Sequence, residues 1–153
     1  MRPIAAAALT LAATFSAIAL PAAAQQPGAA PNAAVLDAAG TAAANGAASG
    51  FLALLDAGRY ADSWTQGAAL MRGAVPQEQW SGVVGSMRKP LGEIKSRKLL
   101  SSTFTRSLPG APDGDYVVVQ YQTEFANKAG AVETVTPMRE PDGSWKVAGY
   151  FLK

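Results

Sequence analysis

The chain has 153 residues, 13 Lys and Arg against 11 Asp and Glu, a formal net charge of +2, and neither Cys nor His. Without Cys there are no disulfides, thiol nucleophiles or thiolate metal sites, and without His there is no Ser-His-Asp or Cys-His chemistry and no His-bound zinc. A charge this close to neutral gives no electrostatic reason to expect a nucleic-acid partner, and any proton transfer would fall to Asp, Glu, Tyr, Lys or Ser.

The N-terminus reads as a secretory signal. Met1-Arg2-Pro3 is a short basic start, residues 4–20 are uncharged and Ala-dominated, and Pro21-Ala22-Ala23-Ala24 supplies small residues at the A-x-A positions ahead of Gln25-Gln26. Cleavage after Ala24 is expected, which places the mature chain in the periplasm or outside the cell. The run is short for a membrane span, Ala is weakly apolar and no basic stop-transfer cluster follows, so no stable membrane insertion is expected afterwards. Residues 25–34 (QQPGAAPNAA) read as a flexible tether. Residues 35–153 then suffice for one domain with one core.

From Val35 the pattern turns helical, with Asn32 as a candidate N-cap and Phe51, Leu54 and Leu55 on one face. Ala42, Gly46 and Gly50 form a line of small residues, read either as a site of close backbone approach or as a poorly specified first half. Gly58 ends the helix. A second helical stretch puts Tyr60, Trp64 and Met71 on one side. A third starts at Pro76 and carries the stripe Trp80, Val83, Val84, Met87, with Arg88 and Lys89 complementing its C-terminal dipole before Pro90 and Gly92 stop it.

Beyond Gly92 the period changes to two. Strands are expected at about residues 93–105, 115–127, 131–139 and 144–152, joined by the turns LPGAPDGD, NKAG and PDG. Links this short make an antiparallel meander. The fold class is therefore α+β, with N-terminal helices packed on one face of a four-stranded antiparallel sheet.

Several segments taken in order also carry a resemblance: FLALLDAGRYADSW (residues 51–64), Trp80, GEIKSRKL (92–99), DGDYVVVQYQTEFANK (113–128), ETVTP (133–137) and DGSWKVAGYFLK (142–153). Together they resemble the exported bacterial proteins of the DUF4019 family, a domain of unknown function, over about residues 34–153. The resemblance implies an exported protein of unknown activity with a cystatin-like or NTF2-like topology. It carries no catalytic residues to transfer.

Two groups of side chains stand out. Trp64, Tyr121 and Tyr150 are candidates to line a small apolar pocket, although large aromatics more often fill a small core, and Trp80 and Trp145 read as core. Trp145 is expected to share a strand face with Val147 and Phe151. Arg88, Lys89, Lys95, Arg97, Lys98 and Arg106 concentrate positive charge, read either as an anion-binding patch or as a solvated helix end followed by a guarded edge strand. In an unbroken strand Arg97 shares the face of Leu99, opposite Ile94, Leu100 and Phe104. If it points inward it needs a carboxylate, and Glu124 or Glu133 is placed to supply one.

Candidate ligand-binding residues are thus Trp64, Arg97, Tyr121, Glu133 and Tyr150. No catalytic residue, metal or cofactor is implied. The best reading is an exported accessory or binding module for a small apolar ligand or a protein partner. The alternatives are an NTF2-like enzyme using a Tyr or carboxylate in its pocket, or a dimerisation domain using the exposed sheet face.

Overall fold

A computed structural model describes residues 32–153, with side chains from Ala38 onward. The signal segment and residues 25–31 of the tether lie outside the described residues, as does the side chain of Asn32. Helix α1 runs from Asn32–Asp56, so residues 32–34 are already helical. It is followed by α2 (Tyr60–Thr65), α3 (Ala69–Ala74), α4 (Gln77–Arg88) and a 3-10 turn (Lys89–Leu91). Four strands follow, β1 (Ile94–Thr105), β2 (Tyr116–Phe125), β3 (Lys128–Arg139) and β4 (Trp145–Leu152), antiparallel and adjacent in chain order. This is the α+β meander that the change of period predicts.

The segment Ala38–Asp56 is long and apolar enough to cross a membrane on length and composition alone. In the fold it is the core helix. It lies across all four strands, and Ala44, Ala48, Phe51, Leu52 and Leu55 are buried against Val117, Val119, Val135 and Val147 of the sheet. The small residues that do the close packing are Ala44 and Ala48. Ala42, Gly46 and Gly50 face solvent, and a Cβ added at either glycine would meet nothing within 4 Å. The expected second helical stretch is broken into α2 and α3 at Gly67. A Cβ there would lie 2.1 Å from Met71 Cε and 3.0 Å from the Trp64 carbonyl oxygen, and the break frees the Ala68 amide to bond the Val147 carbonyl of β4 at 2.8 Å.

Bulges set which way the strand side chains face. In β1 the partners step from Ile94↔Phe125 to Ser96↔Glu124, and from Leu99↔Tyr121 to Ser101↔Gln120, leaving Lys95 and Leu100 as extra residues. Each extra residue reverses the alternation, so Ile94, Arg97, Leu99 and Phe104 all come to the helix-covered face. In β4 the step from Thr136↔Gly149 to Pro137↔Val147 leaves Ala148 extra. The consequence corrects the expected face of β4: Trp145 and Val147 point to the helices, but beyond the bulge Tyr150 does so and Phe151 turns out to solvent. The β2–β3 turn is also tighter than NKAG suggests. Phe125 pairs with Lys128, and Gly130, at φ 67°, sits in a bulge inside β3.

Candidate functional site

At the C-terminal ends of α1 and α4 the fold closes over a cluster of charges. Glu133 in β3 is 0 % exposed, and five donor contacts meet its two oxygens. Its Oε1 accepts from Arg97 Nε at 2.9 Å, Arg97 Nη2 at 2.7 Å and the Thr123 hydroxyl at 2.7 Å. Its Oε2 accepts from Arg88 Nη1 at 2.7 Å and the Tyr150 hydroxyl at 2.6 Å. The Tyr150 hydroxyl accepts in turn from Arg88 Nη1 at 2.8 Å. Asp56, the last residue of α1, takes Arg97 in a bidentate fork, Nη1 to Oδ2 at 2.7 Å and Nη2 to Oδ1 at 2.9 Å, and its Oδ1 also accepts from Arg88 Nη2.

Two guanidinium and two carboxylate groups therefore balance, and α1, α4 and every strand each contribute one side chain. Arg88 is only 5 % exposed, and its guanidinium lies 5.3 Å from the Phe125 ring centre and 6.0 Å from that of Tyr150. Burial disfavours its charge, but Tyr150, Glu133 and Asp56 together outweigh that and hold it fully protonated. For Arg97 burial is likewise outweighed, by Asp56 and Glu133. Burial first, and then the charge of Glu133, push the Tyr150 phenol well above its ordinary range despite the opposing Arg88. The hydroxyl thus stays protonated where exposed tyrosines ionise, and continues to donate to Glu133.

Of the expected site residues, Arg97, Glu133 and Tyr150 meet in this cluster. Glu133, not Glu124, is the partner of Arg97; Glu124 instead accepts from the Gly130 amide at 3.1 Å. Trp64 lies elsewhere, donating from Nε1 to the Val75 carbonyl at 2.7 Å while it packs on the core. Tyr121 is buried beneath α1, its hydroxyl 3.5 Å from Ser49 Oγ. Arg88 is a correction, since it is buried and ion-paired where a solvated helix end was expected. Asp56 and Thr123 were not singled out from sequence. The signal for two of these was spacing: Asp56 extends the buried line Ala44, Ala48, Leu52 at four-residue steps, and Arg88 extends Trp80, Val84 in the same way.

Arg88 and Arg97 are thus drawn out of the basic stretch and into the cluster. Arg106 pairs with Asp115 at 3.4 Å and stacks 5.6 Å from the Phe104 ring centre, and Lys89, Lys95 and Lys98 are exposed. Among the described residues no three Asp or Glu side chains converge to hold a metal.

Two clefts border the cluster. One, of about 210 Å³, is mixed in character, with Leu55, Tyr60 and Ile94 beside Asp56, Arg88, Lys89 and Glu93. The other, of about 200 Å³, is apolar and runs between α4 and β4. Trp80, Val83, Val84 and Met87 form its helical wall, and Tyr150, Phe151 and Leu152 its strand wall. The helical stripe is thus only half consumed by the core: Val84 is buried, but Val83 is 56 % exposed.

A family model described as a protein of unknown function (DUF4019) matches residues 47–150. No curated protein and no solved structure matches the chain.

Proposed function

The chain belongs to the DUF4019 family of proteins of unknown function, and from its site geometry we propose a non-catalytic binding module, exported and freed of its leader after Ala24, whose working surface is the cleft between α4 and β4. The observation that carries this reading is Val83, a large apolar side chain left in water on the helical wall of an otherwise apolar cleft, with Trp80, Tyr150 and Leu152 beside and across from it. Burying such a side chain is worth about 1.5–3 kcal/mol, and an apolar cleft with an exposed apolar wall is the natural place for a contact. A cavity of about 150 Å³ accommodates benzene, so this cleft suits one apolar side chain of a partner or a small apolar ligand. A topology of the cystatin-like or NTF2-like kind, with helices over one sheet face, belongs to the same reading.

The charge cluster is the support beneath the cleft. Tyr150 belongs to both, with its ring in the cleft wall and its hydroxyl held by Glu133 and Arg88. An enzymatic reading would need an acid or base with a free lone pair or proton. Here both Glu133 oxygens are occupied and the Tyr150 hydroxyl both donates and accepts. The open sheet face supports a dimer less well, because Ser101, Gln120 and Thr134 run across it as a polar row.

Two measurements test the proposal. An uncharged apolar dye such as Nile red is expected to bind the protein, and Val83→Asp to weaken that binding at least about tenfold with its melt unchanged, since the side chain is exposed and surface substitutions are close to neutral. Equal binding by the variant would place the ligand elsewhere. N-terminal sequencing of exported protein is expected to begin at Gln25, and an intact Met1 on the exported protein would refute the cleavage.

A further inference from the structure

Among the described residues β4 is an edge strand, with β3 its sole strand neighbour. Its first half is closed by the bond from the Ala68 amide to the Val147 carbonyl. Its second half is open among the described residues. Lys153 and Val132 exchange both backbone bonds at 3.0 Å, and Phe151 and Gly149 lie opposite Thr134 and Thr136. The alternation of an antiparallel ladder then turns the N–H and C=O groups of Tyr150 and Leu152 away from β3 and out of the sheet. The other edge, β1, is guarded by two bulges and by Lys95 and Lys98. Residues 149–152 carry no charge at all.

We propose that a second copy of this chain docks on this edge, its β4 antiparallel to the first about a two-fold axis at Phe151, joining the two sheets into one. The inference rests on the cleft being the working surface. In that register Tyr150 lies opposite the partner's Leu152, and the reverse, so all four outward N–H groups and carbonyls are satisfied. The two Phe151 rings meet across the axis on the outer face as a closely spaced, non-hydrogen-bonded pair. On the inner face the partner's Leu152 falls beside Tyr150 at the mouth of the cleft, where it covers Val83. Lys153 faces the partner's Gly149, so no like charges oppose one another. The bond at Val147 limits the pairing to the open half and so fixes the register.

An unrelated extended segment would find the same backbone groups, but the self-complementarity of Phe151 and Leu152 is what a second copy supplies. The contact is small beside the roughly 800 Å² per partner of a standard interface, so the dimer is expected at about the micromolar weak end of what such interfaces reach.

Sedimentation equilibrium of the purified protein up to about 500 µM, well above that range, is expected to show monomer and dimer in exchange. Phe151→Glu and Phe151→Lys should each stay monomeric, because each sets two like charges face to face, with melts unchanged because the position is exposed. Their equimolar mixture should associate about tenfold more tightly than either alone, the swing between like and opposite charges across a strand pair. A mixture no tighter than its components, or a Phe151→Glu protein that dimerises like the wild type, would overturn the proposal. A wild type that stays monomeric while its cleft still takes the dye overturns the second copy as occupant and leaves the cleft reading standing; one that neither dimerises nor takes the dye overturns both.

Discussion

Glu133→Gln is expected to cost about 3–5 kcal/mol of folding stability, as removing one partner of a buried ion pair does. The amide keeps the shape of the carboxylate but presents a donor where an acceptor stood, so one of the two sides now served by Arg97, Thr123, Arg88 and Tyr150 loses its bonds. Two guanidinium groups would then share Asp56 alone, leaving an uncompensated cation in a site where Arg88 is almost wholly removed from water. Adding Arg88→Met to Glu133→Gln restores the balance of charge, with Asp56 and Arg97 still in their bidentate fork. The double variant is therefore expected to be no less stable than the single one, a strongly non-additive result for residues in one network. Urea melts of the three proteins measure both statements. A loss below about 1 kcal/mol for Glu133→Gln would mean that water reaches the cluster and that it does not tie the helices to the sheet.

The order and type of the elements were legible because helix and strand leave different periods, and because Gly58 and the Asp-Gly of the last turn punctuate them. Arg97 with Glu133 was legible as one of two pairings. What decided between them was not: an unbroken strand sets Arg97 against Ile94 and Phe104, and only the extra residues Lys95 and Leu100 bring all three to one face. Bulges arise from how two strands accommodate one another, so a single strand read alone does not announce them. Phe151 was assigned inward for the same reason, and the bulge at Ala148 turned it out. Asp56 and Arg88 were obscured differently. A charged residue in the last turn of a helix ordinarily reads as solvated, and Arg88 there also suits the helix dipole. Asp56 is unfavourable to that dipole, and its two arginines are what hold it. Each charge became intelligible only once the other arrived across the fold.

Trp80→Ala is expected to cost about 3 kcal/mol, the low end for truncating a core aromatic, because one edge of the indole faces the cleft. Trp80 heads the helical stripe of α4, and its ring packs on Phe51 at 6.0 Å between centres, tilted by 54°. Its Nε1 donates at 3.0 Å to the hydroxyl of Ser63, which is buried and itself donates to the Tyr60 carbonyl at 2.7 Å. The indole thus fastens α4 to α2 by a bond and to α1 by packing, and Ala removes both. Trp80→Phe keeps most of the packing and forfeits the N–H, leaving a buried hydroxyl with one bond fewer, for a loss of about 1 kcal/mol. Ser63→Ala in the Trp80→Phe background should then cost less than in the wild type, since only the bond to the Tyr60 carbonyl is left for it to remove. The cleft gives a second readout. Val83→Asp should weaken dye binding and leave stability alone, whereas Trp80→Ala should reduce both, because this side chain is floor to the cleft and roof to the core. Urea melts with unchanged slope would show the ordering Ala, then Phe, then wild type. A Trp80→Ala protein within about 1 kcal/mol of wild type would mean that α4 is held by Val84 and Arg88 alone, with the indole serving only the cleft.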